Sequence, residues 1–183
     1  MTQMLFLLGC VHIVDIAVVG AEISPAMANG AAWDGPDNVP TEAMGLLGSA
    51  LSHLDPSGQL GGVVSGAVDT MVKPDPAGTV MLYPGPEQDP FTVLLPVLQD
   101  TLFPTWGDTP SNRLGGVTVR AETVIRVTLV DKDVQTDDPI GTVELTAADV
   151  GKAQRAGKVL VIDVSGQASG QLKSVSVVVR KVD

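Results

Sequence analysis

Aromatic residues, cysteine and cationic side chains are all scarce in this chain, and each shortage removes a class of explanation. Aromatics amount to 3% of 183 residues, so the core must be built from Val, Leu, Ile and Ala. The single cysteine, Cys10, excludes an intramolecular disulfide, and its place in an apolar run reads as a small buried hydrophobe. Lys and Arg number 11 against 21 Asp and Glu, a formal net charge of −10. A phosphate backbone is repelled by such a chain, so nucleic acid is not an expected partner. No basic n-region precedes the apolar run of residues 4–21, which carries His12 and Asp15 inside it. The run is therefore read as a buried strand rather than a signal peptide or anchor, with the cytoplasm as the default compartment.

What is present is apolar enough to fold. Apolar residues make up 44% and charged residues 17%, outside the range of disordered chains, and the length favours one domain over residues 1–183. Residues 7–19 are rich in Val and Ile with both alternate sets apolar, as in a strand covered on both faces. Residues 24–39 carry the Gly, Pro, Asn and Asp of a loop, with Trp33 among them. Over residues 41–72, Met44, Leu47, Leu51 and Leu54 recur at helical spacing after Thr41, and a second stripe follows Asp55-Pro56-Ser57-Gly58. The expectation is an inserted helical hairpin, weakened by five glycines at about 1 kcal/mol each.

Beyond Pro74-Asp75-Pro76 the pattern is strand and turn. Strands are expected at 78–83, 91–95, 116–120, 123–130, 141–145, 159–164 and 172–182. Ile125, Val127 and Leu129 alternate with Arg126 and Thr128, the period of a strand with one buried face; Val175, Val177 and Val179 repeat it. Thr146 opens a short helix that ends at Gly157. Many short strands with Gly and Pro turns indicate a sandwich or barrel.

The segment Asp131-Lys132-Asp133-Val134-Gln135-Thr136-Asp137-Asp138-Pro139-Ile140-Gly141 gathers carboxylates in one loop between two strands. Their mutual repulsion costs stability unless a cation is shared, and Ca²⁺ takes about six to eight oxygen ligands. An EF-hand is excluded, because Thr136 stands where the turn glycine belongs and Thr142 where the bidentate Glu belongs. The alternative for these residues is a polar turn whose Asp side chains bond nearby N–H groups.

The strand running into Asp131-x-Asp133 and then Asp138-Pro139-Ile140-Gly141 resembles the third calcium loop of C2 domains. Asp100-Thr101-Leu102-Phe103-Pro104-Thr105-Trp106-Gly107-Asp108 is similar to the family's Thr-Leu-Asn-Pro-x-Trp-Asn-Glu turn, with Phe103 and Gly107 as departures. Pro74-Asp75-Pro76 resembles the Ser-Asp-Pro-Tyr that closes the first calcium loop.

This resemblance implies an all-β, eight-stranded antiparallel β-sandwich, with residues 41–72 as an insertion and a short helix near the C-terminal strands. It implies Ca²⁺ ligands at Asp75, Asp131, Asp133 and Asp138, with Asp34 as a fifth and Asp37 in reserve. Trp33 and Val134 are the candidates for contact with a membrane or partner, Trp33 being equally readable as a cap on the core. The implied function is Ca²⁺-dependent association with an anionic membrane surface or a protein. The alternative is a calcium-independent structural protein, a homo-oligomer joined through residues 41–72 and the sandwich faces. An enzyme is not expected, since Cys10, His12 and His53 form no recognisable catalytic set and no α/β nucleotide-binding half accompanies the Asp-x-Asp pair.

Overall fold

The structure is a computed structural model, and it describes residues 12–27, 30, 33, 73–85, 89–133, 136–166 and 169–182. The strands are β1 (His12–Ile23), β2 (Pro76–Tyr83), β3 (Phe91–Leu95), β4 (Arg113–Val119), β5 (Val124–Asp131), β6 (Asp138–Thr146), β7 (Leu160–Asp163), β8 (Ser169–Gly170) and β9 (Leu172–Lys181). One α-helix among the described residues, α1 (Ala147–Ala156), follows β6, and a single 3-10 turn, Pro110–Asn112, precedes β4. The strands form two sheets, ordered β4-β1-β9-β7 and β3-β2-β5-β6-β8, and every pairing is antiparallel. Apart from the two-residue β8, this is the eight-stranded antiparallel sandwich that the resemblance implies.

Alternation drives the packing of the two sheets. Ile125, Val127 and Leu129 of β5 are fully buried and meet Val14, Ile16 and Val18 of β1 and Val175, Val177 and Val179 of β9 in one core. On the opposite parity of β1, Ala17 and Val19 are buried as well. The strand continues past residue 19 to Ile23. There residues 102–107 take over beyond Arg113, where β4 begins: Ala21 N–H donates to Pro104 O at 3.1 Å and Ile23 N–H to Leu102 O at 2.9 Å.

The short helix starts and stops on local chemistry. Thr146 is the N-cap, its hydroxyl accepting from Asp149 N–H while Asp149 Oδ2 accepts from Thr146 N–H at 3.1 Å. Gly157 closes it in the left-handed region at φ 62°. Residues 41–72 lie outside the described residues, as do Asp34, Asp37, Cys10, His53 and Val134.

Sheet register fixes one end of the sandwich. Pro76, Asp131 and Asp138 are cross-strand neighbours on β2, β5 and β6. A bulge between Leu129 and Val130 re-aims the last residues of β5. The start of β2 and the β5–β6 connection, acidic in sequence, are thereby brought side by side.

Candidate functional site

Asp131 occupies the centre of this end. It is fully buried, at 0% exposure, although it is the last residue of its strand. Its Oδ1 accepts a 2.6 Å hydrogen bond from the Asp75 backbone N–H, and the Asp75 carbonyl accepts from Lys132 N–H at 3.0 Å. Its Oδ2 has no hydrogen-bond partner among the described residues. A buried carboxylate oxygen without a partner is costly, and its presence calls for a ligand or a proton.

Electrostatics agree with that reading. Burial pushes the Asp131 carboxyl up to about 7, and the neighbouring carboxylates Asp133, Asp75 and Asp138 push in the same direction. The Asp75 N–H works against them. No cationic side chain among the described residues counters this rise. Lys132, adjacent in sequence, turns its ammonium to Asp137 on the outside of the loop.

Asp75, Asp133 and Asp138 therefore each act on Asp131 at one end of the sandwich, and Asp34 lies outside the described residues. Among the described residues, no three His, Cys, Asp or Glu side chains form a group placed to hold a metal ion. The donor set is nonetheless hard, anionic and oxygen-only, which suits Ca²⁺ or Mg²⁺ in preference to thiolate- or imidazole-seeking metals. The orphaned Oδ2 of Asp131 is the observation that fits a cation.

Trp33 requires a correction. As a membrane or partner contact it would have to present its ring to solvent, but it is 3% exposed and packs in the core. Its indole N–H donates to Ser24 O at 2.9 Å. A large aromatic beside the chain's exit from β1 gains more from burial than from exposure, and its one polar group finds a carbonyl there. Trp106 behaves in the same way, buried with its N–H on Pro96 O at 2.8 Å.

Sequence reasoning misses two participants. Asp100, the one non-glycine residue with positive φ among the described residues (52°), donates its backbone N–H to Asp75 Oδ1 at 2.7 Å. It thereby fixes the carboxylate that borders Asp131. Asp108 receives both Nε and Nη2 of Arg113, at 3.0 and 2.7 Å, and lies 2.5 Å from Arg180 Nη2. That network ties the turn after Trp106 to β4 and β9.

The two antiparallel sheets, with the acidic loops gathered at one end, decide the architecture. The fold is the antiparallel sandwich that the C2 resemblance implies. No family model matches the chain, and no curated protein matches it. Among solved structures it is similar to the human GIVD cytosolic phospholipase A2 (16% identity, TM-score 0.48), covering 94% of this chain and 18% of that one. It is also similar to C2 domain A of a plant Extended Synaptotagmin 1 (14% identity, TM-score 0.46), covering 94% and 97%, and to C2 domain B of BON1 (13% identity, TM-score 0.43), covering 94% and 93%. The chain spans less than a fifth of the phospholipase, whose activity is that protein's own.

Proposed function

We propose that this C2-like module binds Ca²⁺ at the acidic end of the sandwich and uses the bound ion to associate with an anionic lipid surface. The ligands in this reading are Asp75, Asp131, Asp133 and Asp138, joined by Asp34. The supporting observation is the buried, unpartnered Oδ2 of Asp131 in the field of three other carboxylates. A divalent ion removes the repulsion, supplies the missing partner and leaves coordination positions open to phosphate oxygens. Without it, a chain of net charge −10 is repelled by an anionic membrane. Val134, within the same acidic segment, is the proposed apolar contact with the lipid.

Thermal unfolding tests the first half of the proposal. A ligand that binds the folded chain alone stabilises it by RT ln(1 + [L]/Kd), about 2.7 kcal/mol at a hundredfold excess over Kd. In a chain of this size that is a rise in Tm of roughly 5–10 °C over an EDTA control. An unchanged Tm in millimolar Ca²⁺ contradicts the proposal. Co-sedimentation with phosphatidylserine vesicles, present in Ca²⁺ and lost in EDTA, tests the second half.

A further inference from the structure

The two sheets part along one side of the sandwich. β4 and β3 are the end strands of their sheets, and residues of both line a groove of about 310 Å³ between them. Leu82, Leu114 and Val117, all buried members of the core, belong to its lining, and Phe91 stands in its wall with 61% of its surface exposed. Single exposed apolar residues are ordinary, but here a phenyl ring borders an opening that leads to the core between two unpaired strand edges.

The place where the chain enters the fold identifies the occupant. β1 begins at His12, whose backbone pairs with Val119, one residue beyond Thr118 of the groove lining. Residues 1–11 precede it and lie outside the described residues. They contain no Asp, Glu, Lys or Arg, and they include the consecutive apolar run Met4-Leu5-Phe6-Leu7-Leu8, with one of the three phenylalanines of the chain. Extended at roughly 3.3 Å per residue, residues 4–11 reach about 26 Å, whereas the seven residues of β4 span about 23 Å. The run is thus tethered at one end of the groove and is long enough to follow it. Five consecutive apolar side chains need cover from water, and the groove is the apolar opening within their reach. Other segments fit less well: residues 86–88 are Pro-Glu-Gln, and residues 34–72 rejoin the fold at Lys73, beside the acidic end. We propose that residues 4–8 close this edge of the sandwich, with Phe6 beside Phe91 over Leu82, Leu114 and Val117. The occupant is this chain's own segment, and it shields the β3 and β4 edges from pairing with other chains.

Urea denaturation of the full chain in EDTA, followed by tryptophan fluorescence, tests this apart from the metal. Phe6→Ala is expected to lower the midpoint by about 1 M and Phe91→Ala to lower it as well. The double variant is expected to lose clearly less than the sum of the two, because each ring is the other's partner. An unchanged midpoint in Phe6→Ala overturns the proposal, and so does strict additivity, which sets the two rings apart. A wild-type midpoint that rises with protein concentration, and does not in Phe6→Ala, also overturns it by giving the groove to a second copy. Phe91→Ala changes an exposed position and reports on its own if Phe6→Ala does not fold: an unchanged midpoint there contradicts a covered groove.

Discussion

The carboxylate of Asp131 and the backbone N–H of Asp75 meet at 2.6 Å, joining two loops that are 56 residues apart in sequence. That bond fixes one oxygen of a buried carboxylate and leaves the other without a partner among the described residues, so the fold carries an uncompensated polar group where its acidic loops converge.

Asp131→Asn keeps the shape and the acceptor for Asp75 N–H, removes the charge, and offers an N–H₂ to the surrounding carboxylates. In EDTA at pH 8 the variant is expected to be more stable than the wild type by about 1–3 kcal/mol. Urea denaturation monitored by tryptophan fluorescence measures it. A destabilised variant would show that the charged form of Asp131 is already compensated in the metal-free chain.

The pH dependence of the metal-free fold carries a definite sign. The Asp131 carboxyl lies near 7 in the folded chain against about 3.9 in an unfolded one. Between those values the folded chain holds a proton that the unfolded chain releases. Stability contributed by this group is therefore complete below about pH 4, falls as pH rises toward 7, and levels off above. The difference in unfolding free energy between wild type and Asp131→Asn, measured in EDTA from about pH 4 to 8, isolates this contribution. A difference independent of pH contradicts it.

Trp33→Ala empties a core position and orphans the Ser24 carbonyl. The expected loss is about 3–5 kcal/mol of stability, read from the denaturation midpoint. A change of less than about 1 kcal/mol, accompanied by loss of vesicle binding, would return Trp33 to the surface role that its burial argues against.

Gly78→Ala tests the β2–β5 ladder next to the site. A Cβ on Gly78 would lie 2.2 Å from Thr128 O and 2.7 Å from Leu129 Cδ2. The strands must separate to admit it, at a cost of at least about 1–3 kcal/mol. Because Asp75 and Asp131 lie at the end of the same ladder, Ca²⁺ affinity is expected to fall with it, as a calorimetric titration of the variant would show.

Much of this architecture is legible in the sequence because it rests on local rules. The alternation of Ile125, Val127 and Leu129 gives β5, and Thr146 with Gly157 brackets the helix, each within a residue of where the structure has them. The convergence of Asp75 with Asp131, Asp133 and Asp138 is legible through the order of three loop motifs. What escapes depends on partners distant in the chain. β4 begins at Arg113 rather than residue 116, and Gly116, expected as the strand's first residue, sits at φ 64° inside the edge strand with its N–H on Asp15 Oδ1 at 2.8 Å. β1 runs on to Ile23 because β9 pairs with it as far as Leu172 on one side and residues 102–107 lie beside it on the other. Asp108, Arg113 and Arg180 meet across separate segments, so no spacing announces them. Trp33 is ambiguous in sequence, since a loop tryptophan reads equally as a core cap or a surface anchor until its burial is known.

Calorimetric titration of Ca²⁺ into the metal-free chain and into Asp131→Asn addresses the account most directly. A saturable isotherm is expected for the wild type, with affinity roughly tenfold or more weaker in the variant. A wild-type chain that takes up no Ca²⁺, or a variant that binds it equally well, would contradict the assignment of the buried Asp131 oxygen to a cation.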